Sequence, residues 1–345
     1  LGPLGDVPLF GFGLALFAWL TFAAFSLWRI HRSRTDDPAE FRSGIVFFGL
    51  VAVAIVMAPR VLPFEHVPVF GYGAMLVAAA VFSGMTAAKR APLGGGSGDF
   101  AWDTAVKLIF AGVVGARLFH LVQYREVAFQ DCVVPLDFVK AAVMLPDGGL
   151  VLYGGIIFAT LTYLLMCRLH SIDPLKFGDA VVPAVFVGIA FGRLGCFLNG
   201  CCFGDVCQLP WAVTFPQGSV PWKTLVERGF LDPSATASLP LHPTQLYSTL
   251  NAIVLAILTA TYYPYRKGNG SVVALALMTY PISRICLEVL RNDERSQFGT
   301  GLTISQLVSL GVFGLGAALA WWSWTRSATE VTSPGPDSTN ASAPA

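Results

Sequence analysis

The sequence predicts an all-α, polytopic membrane helix bundle of about nine transmembrane helices. Three observations predict it: an apolar composition, a series of uncharged runs long enough to cross a bilayer, and an uneven distribution of lysine and arginine between alternate loops. Of 345 residues, 54% are hydrophobic and 12% charged, where a soluble domain carries roughly 25% charged residues. That balance excludes a water-soluble enzyme fold. Twenty-two basic and 21 acidic residues leave a formal charge of +1, which gives no reason to expect a nucleic-acid partner. Seven cysteines are too few and too clustered for the disulfide framework of a small secreted domain.

A helix rises about 1.5 Å per residue and a bilayer core is about 30 Å thick, so spanning runs of about 20 apolar residues are expected. Nine such runs occur, at about 8–28, 43–60, 67–88, 103–124, 148–167, 178–199, 242–264, 269–290 and 302–324. The first, Pro8 to Trp28, is charge-free with no basic region ahead of it, so it reads as a transmembrane helix rather than a signal peptide. Basic residues in alternate loops fix the expected orientation. One side collects eleven, namely Arg29, Arg32, Arg34, Arg42, Lys89, Arg90, Arg168, Lys176, Arg266, Lys267 and Arg326. The other holds seven, Arg60, Arg125, Lys140, Lys223, Arg228, Arg291 and Arg295, despite the longer loops. The richer side is expected to be cytoplasmic, with the N-terminus outside and the C-terminus inside.

The expected organisation is two N-terminal spans in 1–66, a seven-helix core in 67–326, and a disordered cytoplasmic tail in 327–345. Within the core, residues 205–241 hold five prolines and two tryptophans, Trp211 and Trp222. They read as an extracytoplasmic arm resting on the membrane interface. No internal repeat marks an inverted-repeat transporter.

Ionisable groups inside a bilayer are costly unless paired or solvated. Arg117, Arg193 and Arg284 each fall in the outer half of a predicted span, a depth suited to holding a headgroup phosphate, since guanidinium binds phosphate bidentately and stays charged. The bland alternative is that they snorkel to the interface or pair with acids. Tyr72, Tyr153, the run His242-Pro243-Thr244-Gln245-Leu246-Tyr247 and Gln306 fall near the same ends. In the eighth span Tyr280, Arg284, Glu288 and Arg291 are spaced 4, 4 and 3 residues apart, which at 100° per residue places them on one stripe. Arg284 and Glu288 stand at i,i+4, so Glu288 reads as an orienting partner rather than a base. Around Arg193 runs Gly192-Arg193-Leu194-Gly195-Cys196-Phe197-Leu198-Asn199-Gly200-Cys201-Cys202-Phe203-Gly204. Its glycines allow a helix end to bend toward a ligand, while close helix packing is the alternative. Cys196, Cys201, Cys202 and Cys207 lack paired C-x-x-C spacing and a nearby histidine, so small packing residues are expected there. A disulfide involving Cys207 stays open.

Polar residues concentrated at one end argue against a transporter or channel, which needs them at every depth. The chain resembles the prolipoprotein diacylglyceryl transferase family of bacteria through ordered motifs: Gly115-Ala116-Arg117-Leu118, Gly148-Gly149-Leu150 through Tyr153-Gly154-Gly155, Arg193 to Gly204, His242 to Tyr247, Tyr280 through Arg291, and Ser305-Gln306. These cover about residues 68–324. The resemblance implies a seven-helix core, here preceded by two further helices, in the cytoplasmic membrane. It also implies transfer of the diacylglyceryl group of phosphatidylglycerol to the lipobox cysteine thiol in a prolipoprotein signal peptide, releasing glycerol 1-phosphate without a metal or organic cofactor. The family's two essential arginines match Arg193 and Arg284. Tyr72, Arg117, Asn199, Gly204, His242, Gln245, Tyr280, Glu288 and Arg291 match positions expected at the substrate site. Tyr153 stands where many members carry a histidine proposed as base, Cys196 where asparagine is usual, Cys201 where glutamate is usual, and Ser248 where an acid is common. These departures motivate a second expectation, a divergent member that uses another acceptor or only binds phospholipid.

Overall fold

The computed structural model describes residues 6–8, 19–20, 49, 51–53, 66–68, 71–129, 149–291 and 302–332. Seven helices in the described residues are long and apolar enough to cross a membrane, so the chain is a multi-pass membrane protein. The long helices are α1 (Gly71–Arg90), α2 (Gly98–Gln123), α3 (Leu152–Leu169), α4 (Pro174–Asn199), α6 (Thr244–Tyr262), α7 (Ser271–Val289) and α8 (Ile304–Thr332). A short helix, α5 (Val220–Glu227), lies in the arm. The spans expected at 8–28 and 43–60 lie outside the described residues, apart from helical residues at 19–20, 49 and 51–53. Helix α8 continues to Thr332, into the segment read as tail, and residues 333–345 lie outside the described residues.

The chain divides into two compact units. The first comprises Leu1–Met75, Leu198–Cys201 and Phe215–Ser238; the second comprises Leu76–Phe197, Cys202–Thr214 and Leu239–Ala345. In the first, β1 (Asp6–Pro8) pairs antiparallel with β2 (His66–Pro68). The arm segment around α5 closes on itself: Ser238 Oγ accepts from the Phe215 amide at 2.9 Å, and the Trp222 indole donates to the Ala235 carbonyl at 2.8 Å. At its tip the Ser234 amide and hydroxyl donate to Asp232 and hold that exposed carboxyl below its ordinary pKa.

In the second unit the helix starts are set by side-chain caps, which satisfy amides that no helical carbonyl reaches. Ser97 accepts from the Phe100 amide at 3.0 Å and starts α2 five residues ahead of the expected 103. Asp173 accepts from the Leu175 and Lys176 amides at 2.8 and 3.2 Å, so α4 starts at Pro174 rather than 178. Thr303 and Gln306 cap each other reciprocally at 3.1 Å in both directions and start α8.

One end of this unit is tied by a buried carboxylate. Asp179, fully buried in α4, accepts from the amides of Gly270, Val272 and Val273 at 2.8, 2.9 and 2.9 Å and thereby caps α7. Arg266 stands 3.8 Å from Asp179 and lies over the Tyr263 ring. The Tyr263 hydroxyl donates to the Leu93 carbonyl, and Arg90 donates to the Ala180 carbonyl. Ala180, Tyr263 and Val272 pack around this node, and Phe186, Leu255 and Ala276 continue the core along α4, α6 and α7. Antiparallel α2 and α3 approach through glycines: a Cβ on Gly115 would stand 2.6 Å from the Gly154 carbonyl oxygen, an approach only glycine permits.

Candidate functional site

Helices α4 and α7 run parallel and in step. Asp179 meets the Val272 amide, and the Phe186 and Tyr280 rings pack 6.2 Å apart. These contacts fix an offset of 93 to 94 residues between the helices. Continued along both at the common rise of about 1.5 Å per residue, it sets Arg193 level with Cys286 and Leu287, between Arg284 and Glu288. The fold therefore brings to one depth the two arginines that lie 91 positions apart in the chain.

Beyond that level the ends of α4, α6 and α7 are braided by main-chain hydrogen bonds. The Gly204 amide donates to the His242 carbonyl, the His242 amide to the Asp205 carbonyl and the Asp205 amide to the Leu290 carbonyl, each at 2.9 Å. The buried Thr244 hydroxyl donates to the Cys202 carbonyl at 2.7 Å. Gly204 is the crowded centre: a Cβ there would stand 2.6 Å from Thr244 Cγ2, 2.7 Å from His242 Cβ and 2.8 Å from the Leu290 oxygen. Its missing side chain lets three strands of backbone meet. His242 Nδ1 lies 3.4 Å from the Tyr247 hydroxyl, which also accepts from the Trp211 indole at 2.7 Å.

The three membrane arginines separate into different environments. Arg284 is paired with Glu288, whose side chain is 2% exposed. Arg117 donates from Nη1 to the Gly149 carbonyl at 3.0 Å. Arg193, half-buried in α4, makes no ion pair or hydrogen bond among the described residues, so at this level its charge is the one left uncompensated.

Arg117 holds the entry to α3. Gly149 has φ +81° and sits against Arg117 and His120, and the Val151 amide donates to the Ala116 carbonyl at 3.1 Å. Tyr153, two residues further on, is 39% exposed on the first turn of α3. Arg117 therefore braces the Gly149–Val151 entry to α3, a link that the sequence did not disclose.

Of the other expected site residues, Gln245 is fully buried beside Thr244, Tyr280 packs on Phe186, and the Arg291 amide donates to the Glu288 carbonyl at 3.0 Å. Tyr72 and Asn199 belong to the first unit. Gln306 has a local use in the cap of α8. Sequence reasoning missed Thr244 as the buried tie to Cys202 and Asp205 as the central strand of the braid. The Thr at the start of a span, three residues after a break in hydrophobicity, was the available signal.

The prolipoprotein diacylglyceryl transferase family model matches residues 59–322. The chain is 30% identical over 254 residues to the phosphatidylglycerol–prolipoprotein diacylglyceryl transferase of Clostridium tetani, covering 74% of this chain and 93% of that protein. It is 28% identical to the protein of the same name from Rhodopirellula baltica, covering 96% of this chain and 90% of that one. A third, from Corynebacterium glutamicum, is 29% identical over 72% of this chain and 77% of its own length. With the family model spanning both arginines, the braid and all seven described membrane helices but the last three residues of the α8 span, the chain belongs to the prolipoprotein diacylglyceryl transferase family.

Proposed function

We propose that this protein is a transferase that moves the diacylglyceryl group of phosphatidylglycerol to the lipobox cysteine thiol of a prolipoprotein, in the bacterial cytoplasmic membrane. The observation that carries the reading is the uncompensated Arg193 guanidinium level with the Arg284–Glu288 pair. An anionic phosphodiester supplies the missing counter-charge at that depth. The lysine and arginine bias of the loops supports an outer-leaflet position for this end, where a secreted acceptor emerges.

In the reaction the acceptor sulfur attacks the phosphate-bearing carbon of the diacylglyceryl moiety. A C–S bond forms as the C–O bond breaks, the bonding pair leaves on the phosphate oxygen, and glycerol 1-phosphate departs as the thiol proton passes to the medium. Negative charge grows on the leaving phosphate, and fixed cations there stabilise the transition state more than the ground state. Arg193 supplies that charge directly. Arg284, oriented by Glu288, adds a second donor fork. The positive field also favours the thiolate, the nucleophilic form of a thiol near pKa 8.5. Tyr153 orients the acceptor segment from the head of α3. Tyr280 and Arg291 extend the polar stripe of α7, and Gly204, His242 and Gln245 shape the braid beside it. Tyr72 and Asn199 are read as substrate-binding from their resemblance to positions of the family's site.

The test is transfer from headgroup- and acyl-labelled phosphatidylglycerol to a lipobox peptide by the purified protein, with a Cys→Ser peptide as control. Thiol-dependent lipidation with stoichiometric glycerol phosphate release is expected. Bound phosphatidylglycerol without product, in protein that is folded, would overturn the reading.

A further inference from the structure

At the end of the second unit away from the arginine level, α1, α2, α3 and α4 line a cavity of about 240 Å³. Its walls are mostly small residues, among them Ala80, Gly84 and Ala87 of α1, Ala105 of α2 and Ala184 of α4. Ile109 and Val185 also line it and are more than half exposed on the surface of the bundle, so the cavity is continuous with the surrounding hydrocarbon. Three lining residues carry a hydroxyl, and two of these are engaged. Tyr163 donates to the Pro174 carbonyl at 2.6 Å and Ser83 to the Ala80 carbonyl at 3.4 Å. Thr104, only 3% exposed, has no hydrogen-bond partner for its hydroxyl among the described residues. A helical threonine ordinarily returns its hydroxyl to the carbonyl one turn back. Thr86, Thr160, Thr249, Thr259 and Thr279 all do so, at 2.7 to 2.9 Å. Thr104 leaves that bond unmade, and a buried hydroxyl without a partner carries its whole desolvation cost.

We propose that this cavity holds one acyl chain of a phospholipid from the leaflet opposite the arginine level, with the Thr104 hydroxyl donating to the ester carbonyl of that chain. Depth decides the leaflet. The Phe100 and Phe177 rings pack 5.1 Å apart and set α2 level with α4. Thr104 then falls level with Val181, twelve residues before Arg193, or about 18 Å at the helical rise. An ester carbonyl stands only a few atoms from the phosphate of its own lipid, so a lipid with its phosphate at Arg193 cannot bring its ester to Thr104. One with its headgroup at the other surface can. Lys89 and Arg90 end α1 on that side and suit the phosphate. Ala101 and Ile109 lie eight residues apart in the α2 wall, which gives the cavity about 12 Å of depth toward the midplane. Small apolar walls with a single free donor match an unbranched chain with one carbonyl at its head. The site is separate from the transfer chemistry and requires only that the bundle sit in a bilayer.

The experiment uses the full chain, purified in detergent and stripped of lipid. One sample receives phosphatidylglycerol with a diazirine beside one ester carbonyl, and another receives a fatty acid with a diazirine beside its carboxyl. Cross-links are mapped by mass spectrometry. The phospholipid is expected to label residues 83–87 and 101–105, in competition with unlabelled phospholipid and several-fold more than the fatty acid does. Ala105→Phe, which fills the cavity, should abolish that labelling. Thr104→Val should weaken the affinity read by competition about fivefold, the weight of one net hydrogen bond, and Thr104→Ser should keep it. In the lipid-free protein Thr104→Val should unfold no earlier than wild type, because its hydroxyl has no partner to lose. Absence of labelling at these residues in wild type, equal labelling by the fatty acid, wild-type affinity in Thr104→Val, or a lowered unfolding temperature of the lipid-free Thr104→Val protein would overturn the proposal.

Discussion

Arg284 and Glu288 form an ion pair one helical turn apart on α7, and the Glu288 side chain is 2% exposed while that of Arg284 is 17% exposed. The pair is asymmetric in what each partner loses alone. Arg284→Ala leaves a carboxylate sealed in the membrane region without its cation, and removing one member of a buried pair costs about 3–5 kcal/mol. Thermal unfolding in detergent should show that loss. Arg284→Ala/Glu288→Gln should regain most of the stability and none of the transfer activity. If the double variant is as unstable as the single one, Glu288 has a partner other than Arg284.

Arg193 presents the opposite case. It makes no ion pair or hydrogen bond among the described residues, so Arg193→Ala should leave the unfolding temperature nearly unchanged. Transfer should fall by about 100-fold or more, the scale seen when one preorganised donor to a developing negative charge is removed. Arg193→Lys should recover only part of the rate, because a point charge replaces a planar fork. Wild-type transfer in the alanine variant would remove Arg193 from the phosphate site.

Gly204 tests the braid. A methyl group there meets Thr244 Cγ2, His242 Cβ and the Leu290 oxygen at 2.6 to 2.8 Å, and two of these three are held by main-chain or β-carbon positions that cannot swing aside. Gly204→Ala should cost about 1–3 kcal/mol, as overpacking does. It should also lower transfer by displacing the end of α7 that carries Glu288 and Arg291. Comparison of the rate per folded molecule with that of Gly192→Ala, where a Cβ meets nothing within 4 Å, separates the local effect from a general one.

What the sequence disclosed and what it withheld divide along physical lines. The seven described membrane helices answer directly to runs of apolar residues, because hydrocarbon leaves the backbone no partner but itself. Their starts were misplaced at α2 and α4, where Ser97 and Asp173 cap helices that begin inside polar sequence. The i,i+4 spacing of Arg284 and Glu288 is local and was legible. The level shared by Arg193 and Arg284 depends on how α4 and α7 pack, and no periodicity within either helix contains it. Arg117 reads like the other two arginines in sequence, yet its hydrogen bond to the Gly149 carbonyl gives it a different task. Asp179 was overlooked altogether: a lone acid near a span's edge resembles a loop charge until the amides of Gly270, Val272 and Val273 converge on it.

Asp179 yields the last prediction, and its direction differs from those for the arginines. Its carboxylate accepts three amide hydrogen bonds at the start of α7 and lies 3.8 Å from Arg266. One capping side chain is worth up to about 2 kcal/mol, and Asp179→Ala uncaps three amide donors at once, two of them buried, so the loss should be at least that large. Asp179→Asn keeps one acceptor oxygen and should cost less. Neither residue touches the arginine level, which lies about 14 residues further along α4, or about 21 Å at the helical rise. Transfer per folded molecule should therefore stay close to wild type in Asp179→Asn while the unfolding temperature drops. A selective loss of transfer with stability intact would mean that the cap sets the register of α7 against α4, and with it the level at which Arg284 meets Arg193.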